Sequence, residues 1–332
     1  MAYISKDISE NIVNDLSENT IDLSQNIFEL GLNQYDCSNE SAGDKKCQSQ
    51  IDISKNEITC LCFSGGGIKG FSFVGALTKL MEKNIINIEK IDTFVGTSAG
   101  SMFSFFLVLG FTIDEIKDFI MTFNFSKLNG EIDCINLLES FGINNGERIK
   151  LLFSKFLEIK YSVKDITFKE LYNLTNKKLL VIGTNLTKSR EELFSVDSTP
   201  DMSVITAIRI STSVPIIFTP VNYNGDLYVD GALVNNFPIN YCPIDNTYGI
   251  YVKNCNENYE VNSIQSFMIK CLNITSDTIS EKNLNSNYKN VIKIINPRPE
   301  FTKFDLTPEY KKDLIDLGFN TTETFLSNLQ IN

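Results

Sequence analysis

The sequence of 332 residues predicts an α/β fold, a three-layer α/β/α sandwich with a mainly parallel central sheet. Two observations lead to this expectation. First, two short apolar runs, Ile58–Phe63 and Thr93–Val95, each lead into a glycine-containing turn and then into apolar residues at helical spacing. Second, the first run is almost entirely apolar, as in strands that are buried on both faces. Two strand-to-helix units in succession predict parallel strands covered by helices on both sides.

Local signals along the chain predict the remaining elements. Thr112-x-x-Glu115 and Thr167-x-x-Glu170 are capping boxes that open amphipathic helices, and Asn145–Ile159 has the pattern of a further helix. We expect these helices to form an insertion between core strands. Asn224-Gly225 is typical of a tight hairpin turn. Further strands are predicted at 178–186, 192–196, 226–229, 248–252 and 291–295, and further helices at 202–210, 262–272 and 308–326.

The first part of the chain differs in composition from the rest. Residues 1–55 are polar and acidic, with sparse apolar positions near helical spacing. We therefore expect an N-terminal arm over 1–55, partly disordered or weakly helical, and one domain over 56–332. Residues 1–7 contain no positively charged segment that leads into an apolar one, so we expect a cytoplasmic protein without a signal peptide. The longest apolar run, Met102–Phe111, is too short to span a bilayer.

Charge and residue usage exclude several classes of function. The net charge is -11 and the basic residues are scattered, so a nucleic-acid partner is not expected. Contact with an anionic membrane would require local apolar surface or a regulated partner. The chain has no histidine and no Cys-x-x-Cys pair, so a structural zinc site is not expected. We also expect no other metal and no cofactor. We expect the cysteines to be reduced, with the thiols of Cys60 and Cys62 on opposite faces of a strand.

A possible nucleophile lies in the segment Gly96-Thr97-Ser98-Ala99-Gly100. This segment matches Gly-x-Ser-x-Gly, the pattern in which a strand turns sharply into a helix and presents a serine. A Ser-His-Asp triad is impossible without histidine, so a nucleophilic Ser98 needs another base. Asp230, in Asp230-Gly231-Ala232 at the predicted end of a strand, is the best-placed carboxylate. The alternative is that Ser98 only caps a helix and Asp230 is a turn residue.

The segment Gly65-Gly66-Gly67-Ile68-Lys69-Gly70 matches Gly-x-Gly-x-x-Gly between a predicted strand and helix. Such a turn binds the pyrophosphate of a dinucleotide, and Glu89 and Asp92 lie near the position expected for a ribose-binding acid. The same backbone N–H groups can stabilise the oxyanion of acyl transfer. Three consecutive glycines followed by a cation favour the oxyanion loop. For Lys69 itself, the alternative is a solvated surface lysine.

Together these motifs resemble the patatin-like phospholipases, a family of lipid acyl hydrolases with a Ser-Asp dyad. The resemblance rests on the order of 64–70, 96–100 and 230–232, is extended by segments at 207–221, 235–238 and 304–319, and covers about residues 57–328. It implies a patatin-like fold for the domain. Lys69 stands where the family usually has arginine, and Ser64 where it frequently has aspartate.

The resemblance implies a role for each motif. The site residues are Ser98 as nucleophile and Asp230 as base, Gly65, Gly66, Gly67, Lys69 and Gly70 around the oxyanion, Gly96, Thr97, Ala99 and Gly100 at the elbow, and Gly231 and Ala232 after the aspartate. The expected function is hydrolysis of a phospholipid, lysophospholipid or other lipid ester, with transient contact at a membrane surface. The alternatives are a lipid transacylase with the same dyad, a non-catalytic lipid-binding protein of this fold, and a dinucleotide-binding protein. No protein partner is indicated.

Overall fold

The computed structural model describes residues 57–128, 139–254, 261, 263–284, 288–297 and 306–329. The expected arm over 1–55 lies outside these residues, and so do four of the cysteines, Cys37, Cys47, Cys134 and Cys255. The division of the chain at residue 55 therefore stays a prediction.

The described residues form strands and helices in alternation. The strands are β1 (Cys60–Phe63), β2 (Thr93–Thr97), β3 (Gly142–Asn144), β4 (Lys178–Asn185), β5 (Arg190–Phe194), β6 (Ile216–Phe218), β7 (Val221–Tyr223), β8 (Asp226–Asp230), β9 (Thr247–Asn254) and β10 (Val291–Asn296). The α-helices are α1 (Ser72–Glu82), α2 (Ala99–Val108), α3 (Ile113–Thr122), α4 (Glu147–Tyr161), α5 (Phe168–Thr175), α6 (Val204–Ser211), α7 (Ala232–Asn235), α8 (Ile264–Asn283) and α9 (Pro308–Asn328).

The central sheet runs in the order β10-β9-β1-β2-β4-β8-β7, and β5 also pairs with β4. The first five strands of this order are mutually parallel, whereas β5, β7 and β8 pair antiparallel. Strands β3 and β6 form a small separate sheet. The predicted mainly parallel sheet with flanking helices is confirmed.

Local sequence signals act as expected at several boundaries. Both capping boxes form, at Thr112 with Glu115 and at Thr167 with Glu170. The helices that they open, together with α4, lie in the chain between β2 and β4, as the predicted insertion requires. Asn224 and Gly225 have φ angles of 51° and 84° and join the antiparallel strands β7 and β8. Two successive residues with positive φ are typical of a type I′ hairpin turn.

The core lies on both faces of β1. Leu61 and Phe63 belong to the large apolar cluster on one face, which the phenylalanines of the α2 and α3 region dominate. Cys60 and Cys62 both belong to the smaller cluster on the other face, where they share surroundings with Cys242. The expectation that these two thiols point to opposite faces is wrong, because alternate residues of a strand lie on the same face.

The structure also differs from the predicted boundaries. Helix α8 continues to Asn283, whereas the predicted helix ends at 272. The prediction ends too early because Asn, Thr and Ser residues of low helix propensity fill the second half of the helix. The three-residue strands β3 and β6 and the single-turn helix α7 are too short to show periodicity. None of the helices that the structure describes combines the length and the apolar character needed to cross a bilayer.

Candidate active site

Ser98 lies at a sharp turn between β2 and α2. Its φ and ψ angles are 52° and -122°, outside the α and β regions that an L-residue prefers. Such a conformation persists only where the surrounding structure holds it. The Ser98 N–H donates to Ser211 Oγ at 2.9 Å, and Thr97 Oγ1 donates to Asn235 O at 2.8 Å. The chain on both sides of the turn is therefore anchored to distant segments.

The two outer glycines of the elbow allow three backbone segments to approach closely. A Cβ on Gly96 would lie 2.3 Å from the carbonyl carbon of Gly100. A Cβ on Gly100 would lie 2.4 Å from the carbonyl oxygen of Phe63 in β1. Real Cβ contacts are not this short, so any side chain at either position would force the backbone of the elbow apart.

Asp230 is the last residue of β8 and lies beside Ser98. Asp230 Oδ2 accepts a hydrogen bond of 2.7 Å from Ser98 Oγ, and Oδ1 accepts one of 2.8 Å from the N–H of Ala232. The Asp230 backbone is held as well, because its N–H donates to Ser213 O and its carbonyl accepts from Thr184 Oγ1. The two residues that the sequence singles out are thus in direct contact.

The carboxyl group of Asp230 is almost fully buried, with 2% of the residue exposed. Burial raises its pKa to about 7, and the hydrogen bonds from Ala232 and Ser98 oppose this rise. A carboxyl group with this pKa can both accept and return a proton near neutral pH, as a general base requires.

The glycine-rich loop borders Ser98, and only some of its N–H groups already donate a hydrogen bond within the protein. The N–H of Gly65 donates to Asn236 O at 2.9 Å. Among the described residues, the N–H groups of Gly66 and Gly67 donate to no backbone or side-chain oxygen. Of the loop residues predicted for the oxyanion, Gly66 and Gly67 therefore keep their donors available, and Gly65 does not. Gly70 packs against Ala99 of the elbow.

Lys69 is buried, with 1% of the residue exposed, so the alternative of a solvated surface lysine is wrong. Burial lowers its pKa to about 7, and the negative charge of Asp277 acts in the opposite direction. Asp277 belongs to α8, is 8% exposed, and accepts a hydrogen bond of 3.2 Å from the hydroxyl of Tyr251. The sequence did not indicate Asp277, because the predicted helix ends five residues before it.

Two cavities meet at Ser98. One has a volume of about 600 Å³, counting the part open to solvent, and contains polar and charged side chains, among them Lys69, Asp230 and Asp277. The other has a volume of about 710 Å³ on the same measure. Its lining is mainly apolar and includes Phe71, Met102, Phe125, Leu128, Ile149 and Phe218. The serine hydroxyl therefore lies between the first cavity, which we call the polar cavity after its charged side chains although apolar atoms form more of its lining, and the apolar cavity.

The segment around α6 supports both cavities. The buried Arg209 donates to Asn145 O at 2.8 Å, to Thr219 O at 2.9 Å, and to Ser213 Oγ. The carbonyl oxygen of Ser213 in turn accepts a hydrogen bond from the N–H of Asp230. This explains physically why a segment that contributes to the family resemblance lies next to the dyad.

Within the described ranges, no group of three or more Asp, Glu or Cys side chains is arranged to hold a metal ion.

Comparison with known proteins agrees with this architecture. A family model described as patatin-like phospholipase matches residues 61–242. An uncharacterized protein of Acanthamoeba polyphaga mimivirus is 30% identical over 286 residues, which cover 82% of this chain and 94% of that protein. A "Probable lipid hydrolase" of Invertebrate iridescent virus 6 is 37% identical over 185 residues, which cover 54% of this chain and 61% of that protein.

The fold is also similar to a solved structure. The crystal structure of VipD from Legionella pneumophila superposes with a TM-score of 0.50 at 19% identity, over 82% of this chain and 67% of that one. At this identity the likeness concerns the fold alone. The family model covers more than half of the chain, and the resemblance inferred from the motifs is confirmed. The chain therefore belongs to the patatin-like phospholipase family.

Proposed function

We propose that this protein hydrolyses carboxylic esters of lipids through an acyl-enzyme on Ser98, with Asp230 as the general base. The hydrogen bond of 2.7 Å from Ser98 Oγ to Asp230 Oδ2 carries the proposal. The chain has no histidine that could take the place of the aspartate. Membership of the family, and a viral relative described as a probable lipid hydrolase, support lipid esters as the substrate class.

The reaction follows from the positions of these groups. Ser98 Oγ attacks the ester carbonyl while its proton passes to Asp230 Oδ2, and the N–H groups of Gly66 and Gly67 stabilise the oxyanion. Collapse of this intermediate expels the alcohol, which Asp230 protonates. Water then attacks the acyl-enzyme, with Asp230 again as base, and the fatty acid leaves.

The two cavities accept different parts of such a substrate. The cavity lined by Phe71, Phe125 and Phe218 provides apolar surface for an acyl chain, whose transfer from water is favourable. The cavity that contains Lys69 and Asp277 provides polar surface for the alcohol part and for the entering water. The ester bond then lies at Ser98, where the two cavities meet.

Transient contact with a lipid surface is part of the proposal. Phe267, Cys271 and Ile274 follow one another at helical spacing on the exposed face of α8, and Phe267 and Ile274 are 52% and 50% exposed. Ile269 and Leu272 of the same helix line the polar cavity. An exposed apolar face on a helix beside the site is suited to rest on lipid. A cytoplasmic location stays a prediction from the sequence.

The alternatives have less support. A dinucleotide site would need the N–H groups of the loop, but that of Gly65 already donates to Asn236 O. Burying the carboxylate of Asp230 against a serine costs free energy. A non-catalytic binding protein would gain nothing in return for this cost. A transacylase would use the same acyl-enzyme, and product analysis with and without an alcohol acceptor separates it from a hydrolase.

Labelling and turnover with variants of the dyad test the proposal. Ser98→Ala is expected to lose both reaction with a fluorophosphonate and hydrolysis of a soluble short-chain ester. Asp230→Asn keeps the size of the side chain but cannot accept the proton, so turnover should fall on the order of 10²–10⁴-fold. In the wild type, turnover should rise with pH through about 7 as Asp230 ionises.

Asp226→Asn is the matched control, because Asp226 begins the strand that Asp230 ends and pairs with Lys188, away from Ser98. It should retain labelling and turnover. Circular dichroism must show that each variant is folded. A folded Asp230→Asn variant that turns over near the wild-type rate would show that Asp230 is not the base.

A further inference from the structure

We propose that Asp277 determines specificity for the alcohol part of the substrate: together with Lys69, it makes the polar cavity select esters whose alcohol part carries no net negative charge. This inference rests on the proposed function, because it concerns the same site. It adds a residue of α8 to a site otherwise built from the sheet and the loops that follow it.

The position of Asp277 supports this role. Asp277 and Ser98 line the same cavity, and of the described residues Lys69, Asp230 and Asp277 supply its ionisable side chains. Asp277 is held in place, because the hydroxyl of Tyr251 donates to its Oδ1 at 3.2 Å. Tyr251 is itself fully buried in β9, with its ring stacked on Phe237 at 5.3 Å between centroids. The carboxylate thus has a fixed place in the wall.

The charges in the cavity are unfavourable for a second anion. Lys69 is the positive group, and the charge of Asp277 already acts on it. With Asp230 ionised for catalysis, Asp230 and Asp277 bring two negative charges into a partly closed space, and Lys69, whose pKa burial lowers to about 7, offsets at most one of them. An alcohol part that carries a phosphate monoester would add further negative charge where low polarity strengthens repulsion. A neutral alcohol part such as glycerol avoids this repulsion.

Removing the charge of Asp277 should reverse the balance. In Asp277→Asn the cavity loses one negative charge and keeps Lys69 and Asp230, so an anionic alcohol part meets less repulsion. Asp277→Glu keeps the charge. Lys69→Met acts in the opposite direction, because it leaves only negative groups. One electrostatic argument therefore predicts opposite shifts for Asp277→Asn and Lys69→Met, and no shift for Asp277→Glu.

The test compares two substrates with the same acyl chain, a monoacylglycerol and a lysophosphatidic acid, in the same neutral detergent micelles. The measured quantity is the ratio of their kcat/KM values. Wild type should prefer the monoacylglycerol about tenfold or more. Asp277→Asn should lower this ratio at least about tenfold, Asp277→Glu should restore it, and Lys69→Met should raise it. Glu281→Gln on the same helix is the matched control, because Glu281 is exposed and pairs with Lys253 and Lys293.

The outcomes separate the two proposals. A wild type that hydrolyses both esters but prefers the anionic one would overturn the role of Asp277 and leave the proposed function intact. An unchanged ratio in folded Asp277→Asn, or the same change in Glu281→Gln, would overturn it as well. If wild type hydrolyses neither these nor short-chain esters, the proposed function is wrong, and the specificity inference is wrong with it.

Discussion

At the scale of single residues, the burial of Asp230 connects function with stability. Its pKa is raised from 3.8 to about 7, so between these pH values the folded protein holds a proton that the unfolded chain releases. Stability therefore falls as pH rises through this window and stays low above it. The proposed catalytic base is thus a group that the fold would hold more favourably in its neutral form.

Asp230→Asn should consequently stabilise the protein while it removes activity. At pH 8 the free energy of unfolding should rise by roughly 1–3 kcal/mol, because the amide has no charge to bury. At pH 4, where the folded wild type holds Asp230 protonated, the gain should largely disappear. Denaturant unfolding at both pH values measures the difference.

Asp226→Asn is expected to act in the opposite sense in the same experiment. The pairing with Lys188 lowers the pKa of Asp226, so its ionised form stabilises the fold at pH 8 and this contribution is lost in acid. If Asp230→Asn lowers stability at pH 8 as Asp226→Asn does, burial of the Asp230 charge is not the dominant effect.

Single residues of the site differ in how far the sequence predicts them. Ser98 and Asp230 stand in short motifs, and the lack of histidine leaves few alternatives for the base. The burial of Lys69 does not follow from the sequence, because a lysine beside glycines is also found in surface loops. No local sequence pattern indicates Asp277, because only the packing of α8 brings it into the cavity.

At the scale of elements, the elbow depends on the distance between β1 and α2. Gly100→Ala would place a Cβ 2.4 Å from the carbonyl oxygen of Phe63 and 2.7 Å from that of Ser64. We expect a loss of at least about 2 kcal/mol in the free energy of unfolding, together with slower fluorophosphonate labelling, because the backbone must move at Ser98.

Gly110→Ala is the comparison for this prediction. Gly110 has a φ angle of 78° but no atom within 4 Å of an added Cβ, so only the conformational cost of about 1 kcal/mol is expected. Labelling should be unchanged there. Equal losses of stability in the two variants would show that close approach is not what requires glycine at position 100.

Elements with clear periodicity or caps are predicted well from the sequence. The parallel part of the sheet consists of mainly apolar strands, namely β10, β9, β1, β2 and β4. The capped helices α3 and α5 begin where their motifs place them. The second half of α8 could not be predicted, because burial against the rest of the protein, seen at Ser276, Asp277 and Ser280, compensates for its low helix propensity. That half carries Asp277.

At the scale of the whole molecule, the net charge of -11 opposes attraction to anionic lipid, so contact with a lipid surface depends on apolar groups. The double substitution of Phe267 and Ile274 by serine should reduce hydrolysis of lipid in vesicles about tenfold or more. Hydrolysis of a soluble short-chain ester should stay within about twofold, because neither residue lines either of the two cavities that meet at Ser98.

Leu174→Ser is the control for lipid contact, because Leu174 is equally exposed but lies on α5, which lines neither cavity. It should hydrolyse both substrates as wild type does. Parallel loss of vesicle and soluble activity in the double variant would mean that the substitutions act on folding or on the site, and not on contact with lipid.

The contact between Ser98 and Asp230 has a consequence for the course of the proposed reaction. A neutral imidazole base would create a pair of opposite charges when it accepts the serine proton. Asp230 is already negative, so proton transfer leaves it neutral while the oxyanion beside Gly66 and Gly67 takes over the charge. One negative charge migrates a few ångströms inside the protein, and no charge is separated. Because the charge starts on a buried carboxylate and moves only a short distance, kcat should depend little on ionic strength.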